Sequence, residues 1–182
     1  MKELLLTILI ATSPTSPTVR DVQVATTITK KTYAEYGIKL KVSRVLKVRD
    51  KTLKLRQTSA KYVRRAVWVD YKNKNNIRGK LLVVANGMCE GNACGYKGGL
   101  SPVCADDGTA IIYSDSPKIF VSMNRKRIAF MMAHEIAHLI GADHDTSDTG
   151  NLMYLYIPNS VGSEPFYFTD KSVTEIFTCI GE

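Results

Sequence analysis

Apolar residues along the chain follow two different spacings. From Ile38 to Ser43 apolar and polar side chains alternate, which predicts a strand with one face in solvent, near the edge of a sheet. The segment before it carries a helical stripe of apolar residues that begins after Ser16 and Pro17 and ends at Gly37. The order strand, helix, strand, helix, strand predicts a mostly parallel sheet covered by helices, which is an α/β fold.

Two apolar segments, Leu4 to Ala11 and Ile128 to Ala133, are each far shorter than a membrane span. The first lies within Met1 to Ile10, which is also similar to a short signal peptide. Glu3 neutralises its charged region and no small-residue cleavage site is clear, so we interpret it as a buried strand. We expect any secretion signal or inhibitory propeptide to lie outside this sequence.

The length and the apolar content of the chain favour one well-buried core. The chain has 182 residues, 45% of them apolar, and we expect a single domain over residues 1–182. Trp68 stands between Val67 and Val69 in a predicted helix. A tryptophan in that setting is expected to anchor the core rather than to bind a ligand.

The formal net charge of +8 is unevenly distributed, because residues 134–182 carry one basic and eight acidic side chains. The basic residues of the first half are either the solvated faces of a strand and a helix or a surface for sulfated glycans or acidic membranes. No aromatic-interleaved motif accompanies them, so we expect no nucleic-acid partner. These residues are Lys39, Lys41, Arg44, Lys47, Arg49, Lys51, Lys61, Arg64 and Arg65.

All three histidines of the chain fall within eleven residues, from His134 to His144, and Glu135 follows the first of them. Residues four apart share one face of a helix, so His134 and His138 can direct two imidazole nitrogens at one metal ion. A catalytic zinc ion takes three protein ligands and keeps a fourth position open. Gly141 can end the helix in the left-handed region, which would bring His144 back as the third ligand.

A His-Glu-x-x-His pattern by itself also occurs on amphipathic helices whose histidines only pack or face solvent. Here the extended pattern fixes six positions and uses every histidine of the chain. It also overlaps the apolar segment Ile128 to Ile140, which is a poor environment for unpaired imidazoles. The sequence therefore favours a zinc site.

The run from His134 to His144 resembles the metzincin zinc signature, His-Glu-x-x-His-x-x-Gly-x-x-His, and Met153 resembles the Met-turn methionine of that clan. Asp145, directly after the third histidine, is similar to the adamalysin or reprolysin branch. That branch holds the ADAM and ADAMTS proteases and arthropod venom and tick salivary enzymes. The resemblance implies a mixed, twisted five-stranded sheet with an antiparallel edge strand, long helices, an upper subdomain (residues 1–144) and a small lower subdomain (residues 145–182).

The same resemblance implies where the elements lie. The expected strands are Lys2 to Ile10, Ile38 to Lys47, Leu81 to Ala85 and Gly108 to Asp115, and the expected helices beside the zinc helix are Pro17 to Tyr36, Arg64 to Lys72 and Ser172 to Cys179. The segment from Pro117 to Asn124 looks longer than is usual ahead of the zinc helix.

Four cysteines allow three disulfide pairings, four free thiols or a cysteine metal site. The histidine cluster already accounts for a metal ion, so we expect two disulfides, which are typical of secreted proteins. The spacing of Cys89, Cys94 and Cys104 is similar to that of ADAMTS catalytic domains. This resemblance implies bonds between Cys89 and Cys94 and between Cys104 and Cys179.

The family resemblance also implies how a substrate peptide binds. An antiparallel edge strand lies above the zinc ion, and an extended peptide can add to it as a further strand. The residues expected to contact substrate are Gly95, Tyr96 and Lys97 in the edge strand, and Leu155, Tyr156, Ile157 and Pro158 beside the pocket for the residue after the cut.

Two further residues near the site have structural roles in the family. Met153 is expected to lie beneath the zinc ligands without touching substrate, and Asp145 to accept hydrogen bonds that hold the Met-turn near the ligand loop. A calcium site seen in adamalysins is not expected here. Glu3 stands at a plausible position, but the aspartate expected before the third strand is missing among residues 78–80.

Zinc held by three neutral imidazoles lowers the pKa of water at the open position, and Glu135 is placed to take the proton and pass it to the departing amine. We therefore expect a secreted, monomeric zinc endopeptidase that acts on proteins or peptides. The alternative is a non-catalytic binding protein or toxin on the same scaffold, which holds anionic partners through its basic surface. The intact Glu135 and the three intact ligands favour the enzyme.

Overall fold

The computed structural model describes residues 1–12, 16–50, 60–86, 89–90, 93–94, 99–114, 121–154 and 166–181. The strands are β1 (Lys2–Thr12), β2 (Ile38–Arg49), β3 (Lys80–Asn86), β4 (Cys89–Glu90), β5 (Ala93–Cys94), β6 (Gly99–Leu100) and β7 (Thr109–Ser114). The helices are α1 (Val19–Ala34), α2 (Ala60–Lys74), α3 (Val121–Leu139) and α4 (Asp170–Cys179).

Five strands form one sheet in the order β2-β1-β3-β7-β6. The first four strands are parallel, and β6 pairs antiparallel with β7 at the edge. This arrangement confirms the expected mixed sheet with an antiparallel edge strand. Strands β4 and β5 form a separate antiparallel pair.

The two faces of the sheet pack against different helices. Leu6, Ile8 and Ile10 of β1 point to the side covered by α1, α3 and α4, whereas Leu9 points to the side covered by α2. Trp68 of α2 is fully buried on that second side, which confirms its predicted role as a core anchor. None of the helices in the described ranges has the length and apolar character needed to cross a membrane.

Strand β2 lies at the edge of the sheet, as its alternating pattern predicts. Leu6 of β1 pairs with Val42, but the next residue, Thr7, pairs with Arg44, so Ser43 is an extra residue in a β-bulge. The bulge reverses the alternation along β2. Arg44 therefore lies beside Thr7 on the α2 side, whereas Lys47 lies beside Ile10 on the other side of the sheet.

Helix α1 begins later than the sequence predicted. The expected start was Ser16 followed by Pro17, but the N-cap is Thr18, whose side chain accepts a hydrogen bond from the Asp21 backbone N–H while the Asp21 carboxylate accepts one from Thr18 N–H. This capping box satisfies two free N–H groups, so it determines the first turn. The helix ends at Ala34, two residues earlier than expected, and Gly37 lies in the turn that follows, with a φ of +72°.

The segment ahead of α3 also differs from expectation. Residues 117–124 were expected to form a longer connection, but α3 already begins at Val121. Residues 121–124 are thus part of the helix. Residues 115–120 lie outside the described chain.

Side chains of α1 donate hydrogen bonds to α3 through buried hydroxyl groups. Thr29 Oγ1 lies 3.2 Å from the Ala129 carbonyl oxygen, and Tyr33 Oη lies 2.7 Å from the Ala133 carbonyl oxygen. Two other hydroxyl oxygens of α1 and its C-terminal turn accept hydrogen bonds from the backbone ahead of α4, Thr32 from Phe166 N at 3.2 Å and Tyr36 from Phe168 N at 2.8 Å. Helix α1 therefore fixes both α3 and the approach to α4.

The expected bond between Cys104 and Cys179 is present and joins the loop after β6 to the end of α4. The backbone N–H of Cys104 also donates to the His138 carbonyl oxygen at 2.9 Å, so this bridge lies close to α3. The backbones of Cys89 and Cys94 are directly opposite in the β4–β5 pair. Their side chains lie outside the described part, and that bond stays a prediction.

Replacing both Cys104 and Cys179 by alanine should lower the free energy of unfolding by about 4 kcal/mol, because the bond joins residues 75 apart and restricts the unfolded chain. Urea unfolding followed by circular dichroism measures the loss. The matched control is the double alanine variant of Cys89 and Cys94, whose short loop predicts a loss of about 2 kcal/mol. Equal losses in the two variants would contradict the loop-length argument.

Candidate metal centre

The three histidines meet at the C-terminal end of α3. His134 and His138 lie one helical turn apart, and their Nε2 atoms are 3.1 Å from each other. The His144 ring returns to within 5.3 Å and 4.6 Å of these two rings, measured between centroids. One nitrogen of each ring lies within 4.8 Å of the others. The sequence-predicted ligands are thus brought together.

The turn that brings His144 back requires a glycine for two reasons. Gly141 has a φ of +118°, which L side chains rarely adopt. A β-carbon there would also lie 2.4 Å from Cys179 Cβ and 2.6 Å from the Glu175 carbonyl oxygen. Helix α4 therefore packs directly against the turn, which holds the ligand loop close to α3.

The hydrogen bonds of the two helical histidines define their tautomers. His134 Nδ1 is 2.7 Å from the Leu152 carbonyl oxygen, and His138 Nδ1 is 2.7 Å from the Ala142 carbonyl oxygen. A carbonyl oxygen only accepts hydrogen bonds, so both Nδ1 atoms carry the proton and both Nε2 atoms carry a lone pair. Burial lowers the pKa of His134 to about 3 and that of His138 to about 4, which keeps both rings neutral at pH 7.

These two nitrogens fit a shared metal ion. Two Nε2 lone pairs 3.1 Å apart cannot hydrogen-bond to each other. A tetrahedral zinc ion with ligands at about 2.0–2.1 Å separates neighbouring nitrogens by roughly 3.3 Å. A cation at that point would accept both lone pairs, and His144 offers a third nitrogen from the exposed side.

Glu135 is a buried carboxyl group next to the first histidine. Its side chain is only 5% exposed, and its Oε2 atom has no hydrogen-bond partner among the described residues. Burial raises the pKa of this carboxyl to about 8. Since buried carboxyl groups ordinarily have partners, an unpartnered one beside a metal-type cluster indicates a functional role rather than a structural one.

The turn from Asn151 to Met153 lies against the ligand loop. Asp145 N–H donates to the Met153 carbonyl oxygen at 2.9 Å, and the Asn151 side-chain amide donates to the Asp145 carbonyl oxygen at 3.1 Å. Leu152 and Met153 are fully buried. The same turn carries the Leu152 carbonyl oxygen that orients His134. Its residues Asn151 and Met153 bind the backbone of Asp145, next to His144.

The Asp145 carboxylate makes contacts different from those expected. Its Oδ1 accepts from Ser147 N–H at 2.9 Å, and its Oδ2 accepts from Thr169 Oγ1, which caps α4. These hydrogen bonds, first from Ser147 and then from Thr169, lower the pKa of Asp145 to about 2. The carboxylate therefore joins the ligand loop to α4, and the contact with the Met-turn is made by the Asp145 backbone instead.

Helix α4 holds the third histidine through two side chains that sequence reasoning missed. Glu175 Oε2 accepts from Asp143 N–H at 2.9 Å, and Lys171 Nζ donates to the His144 carbonyl oxygen at 3.2 Å. Thr169 was missed as well, although Thr169 followed by Asp170 is a recognisable helix start. The Leu152 and Ala142 carbonyl groups give no signal in a sequence, because every residue has one.

The candidate substrate residues lie outside the described chain. Residues 95–97 and 155–158, which include Gly95, Tyr96, Lys97, Leu155, Tyr156, Ile157 and Pro158, therefore stay predictions. The adjoining residues Gly99 and Leu100 do form an antiparallel edge strand.

A family model described as "Metallo-peptidase family M12B Reprolysin-like" matches residues 19–145. Among solved structures, the fold is similar to metalloproteinase-II from Bacteroides fragilis, with a TM-score of 0.66 and 14% identity over 100% of this chain and 54% of that chain. It is also similar to archaemetzincin from Methanopyrus kandleri, with a TM-score of 0.64 and 13% identity over 98% of this chain and 96% of that chain.

A third similar structure is a chaperone-substrate complex, with a TM-score of 0.54 and 15% identity over 96% of this chain and 37% of that chain. The chain thus spans about half the length of the first of these structures and less of the third. At these identities the likeness concerns the fold. Comparison with curated protein sequences gave no significant match.

Replacing Glu135 by glutamine should stabilise the metal-free protein at high pH. Because burial raises this carboxyl's pKa from 4.5 to about 8, folding buries a charge above pH 8 but none below pH 4.5, where both states are protonated. The stability of the wild type should therefore fall, through this group, as the pH rises from 4.5 through 8. In urea unfolding with a chelator present, the free energy of unfolding of Glu135→Gln should exceed that of the wild type by a few kcal/mol at pH 8. The two values should be equal near pH 4.5. An advantage independent of pH would contradict the buried charge.

Proposed function

Because the chain belongs to the reprolysin-like metallopeptidases of family M12B, we propose that it is a zinc endopeptidase with Glu135 as its general base. The observation that carries the proposal is the meeting of His134, His138 and His144, with one nitrogen of each ring within 4.8 Å of the others. Two of these rings are held by backbone carbonyl oxygens in the tautomer that a metal ligand needs.

Zinc is the metal that this ligand set suits best, since three imidazole nitrogens with one open position are typical of its catalytic sites. When bound by His134, His138 and His144, the ion would supply a Lewis acid that polarises a peptide carbonyl and lowers the pKa of water. The protein supplies the orientation. His134 and His138 are buried and neutral, whereas His144 lies on the exposed side, from which a substrate can approach.

Glu135 is the residue that moves protons in this proposal. Glu135 directly follows His134 in α3, so its side chain lies next to the helix face that carries His134 and His138. Burial raises the pKa of this carboxyl to about 8 in the metal-free protein, and a cation held by the three histidines would lower it again. The carboxylate, whose Oε2 atom has no hydrogen-bond partner among the described residues, could then accept a proton from an attacking water molecule and donate it to the departing amine.

An extended peptide is the substrate that the sheet can accept. Strand β6 is the last strand of the sheet, and in the described residues no strand pairs with its outer side. The backbone groups on that side can bind a peptide as a further strand. We propose that residues 95–97 prolong this edge and that residues 155–158 border the pocket beyond the cut.

We also propose that the protein is secreted. The bond between Cys104 and Cys179 supports this view, because such bonds persist in oxidising compartments. Asp145 after the third histidine supports a place in the adamalysin branch, and a monomer is the proposed state.

A calcium requirement is not part of the proposal, because the expected calcium position carries positive charge. Glu3 lies 3.6 Å from Lys39 Nζ and 3.2 Å from Lys41 Nζ, so its carboxylate is already paired. Lys2 Nζ donates to the Gly181 carbonyl oxygen at 2.8 Å. Ammonium groups in this region would repel a divalent cation.

Purified protein should cut a diverse peptide library, and the cut sites can be read by mass spectrometry. Glu135→Ala should lower kcat/KM by about 10²–10⁴-fold, since a positioned general base contributes on that order, and should keep the zinc content of the wild type. The control is Glu35→Ala, an exposed residue that follows α1, which should leave kcat/KM unchanged. A zinc chelator should abolish cleavage, and added zinc should restore it.

The same variant separates the enzyme from the binding protein. If Glu135→Ala abolishes cleavage but leaves the physiological effect of the protein intact, a binding function explains that effect. If wild-type protein with one bound zinc ion cuts no peptide in the library, the endopeptidase proposal is wrong.

Removal of calcium should leave the thermal unfolding midpoint unchanged. The measurement uses a calcium-selective chelator in buffer that contains enough zinc to keep the histidine site loaded, so that only calcium is withdrawn. Readdition of excess calcium should have no effect either. A large fall in the midpoint, reversed by calcium, would show that Glu3 or other carboxylates hold a calcium ion after all.

A further inference from the structure

Gly99 is the residue of β6 that faces the zinc helix. It pairs with Ile112 of β7, which belongs to the core shared with α3, whereas Leu100 pairs with Ile111 of the core shared with α2. Directly paired residues point to the same face of a sheet, and successive residues point to opposite faces. A side chain at residue 99 would therefore point toward α3.

The space that such a side chain would occupy is filled by Glu135. A β-carbon at residue 99 would lie 2.4 Å from Glu135 Oε1, 2.5 Å from its Cδ and 2.6 Å from its Cγ. These distances are far inside van der Waals contact, so one of the two groups would have to move. The β6 backbone is hydrogen-bonded to β7, whereas the Glu135 side chain can rotate, so the carboxylate is the group that would be displaced.

The backbone conformation does not itself demand glycine at this position. The φ angle of Gly99 lies outside the left-handed region, unlike those of Gly37, Gly79, Gly108, Gly141 and Gly181. An alanine at this position therefore avoids the steric penalty of a positive φ. What the structure uses at residue 99 is the absence of a side chain.

We infer that Gly99 is a positioning residue for Glu135: the bare backbone of the edge strand leaves open the space that the carboxyl group occupies against β6. The kinetic consequence rests on the proposed peptidase function, whereas the displacement of the carboxylate does not. Gly99 thereby connects two parts of the site, because the strand that receives the peptide backbone also sets the position of the proton acceptor.

The test is Gly99→Ala. We expect kcat for peptide cleavage to fall by about 10²-fold, the loss typical of a catalytic group misplaced by about 1 Å. KM should stay close to the wild-type value, because the β6 backbone that receives the peptide is unchanged. Zinc content and the unfolding midpoint should also stay unchanged, since no ligand is touched and alanine suits the backbone.

Gly37→Ala is the matched control, because it adds the same methyl group but is expected to change stability rather than kcat. Gly37 has a φ of +72° and open space around its α-carbon. Its replacement should lower the unfolding midpoint through backbone strain and leave kcat unchanged. A Gly99→Ala protein that lost zinc or unfolded early, as a merely structural glycine would, contradicts the inference.

Coupling to Glu135 gives a second kinetic reading. In the Glu135→Ala background all three atoms that a β-carbon at residue 99 would meet are absent, so adding Gly99→Ala should change the residual kcat by less than about threefold, the pattern of two directly coupled residues. If the two losses multiply instead, Gly99 acts independently of the carboxylate and the inference is wrong.

A crystal structure of metal-free Gly99→Ala separates this inference from the proposed function. A Glu135 carboxylate displaced from its wild-type position supports the inference whether or not the protein cuts peptides, and an unmoved carboxylate overturns it. If wild-type protein proves inactive while the displacement is seen, the peptidase proposal fails and the positioning role stands.

Discussion

The orientation of two imidazole rings by backbone carbonyl oxygens is the constraint on which the rest of the site depends. Leu152 and Ala142 each accept a hydrogen bond from an Nδ1 atom, and this leaves the Nε2 lone pairs of His134 and His138 facing each other at 3.1 Å. Both rings are buried, so water can relieve little of this repulsion. A cation between the nitrogens would relieve it, and metal binding is therefore expected to contribute to the free energy of folding.

That constraint also explains why segments distant in the chain converge on α3. The carbonyl oxygen of Leu152 can orient His134 only if the Met-turn stays in place, and Leu152 N–H is itself held by the Tyr167 carbonyl oxygen at 2.8 Å. The neighbouring residue Phe168 is bonded to Tyr36, which follows α1. Helix α1 and its C-terminal turn therefore support the ligand set in two ways. Tyr33 donates a hydrogen bond to α3, and Tyr36 accepts one from the segment ahead of α4.

The sequence revealed the parts of the site that depend on residue type and regular spacing. Histidines four apart on a helix, with a glycine before a third histidine, form a pattern that few structures except a metal site require, and the sheet followed from alternating and apolar segments. The carbonyl oxygens of Leu152 and Ala142 were not predictable, because any residue offers one and only the tertiary fold selects it. The space at Gly99 was hidden for the same reason, since it depends on a packing distance between β6 and α3.

Element boundaries depended on local competition that a pattern does not rank. Ser16 with Pro17 and Thr18 with Asp21 are both good helix starts, and the reciprocal pair of hydrogen bonds at Thr18 prevailed. In β2 the strict alternation holds only from Ile38 to Ser43, and the extra residue Ser43 turns the second half of the strand over. A one-residue change of register moves every later side chain to the other face, and no single residue type announces it.

The basic residues of β2 and the metal centre lie at opposite edges of the sheet, which bears on the two candidate functions. Strand β2 carries the basic side chains at one edge, and β6 borders Glu135 at the other. The bulge divides the basic residues between both faces of β2, and Glu3 pairs with two of them. Within the described chain, Arg64 and Arg65 are paired with Asp50 and Asp107.

The positive charge is therefore less continuous than the sequence suggests. An anionic surface held at β2 would still leave the β6 edge open to a peptide, because the other three strands of the sheet lie between them. Association with glycans or membranes is thus compatible with peptidase activity and does not replace it. Glu135 Oε2, which has no hydrogen-bond partner within the described part of the chain, has no role in such binding, and this favours the proposed catalytic function.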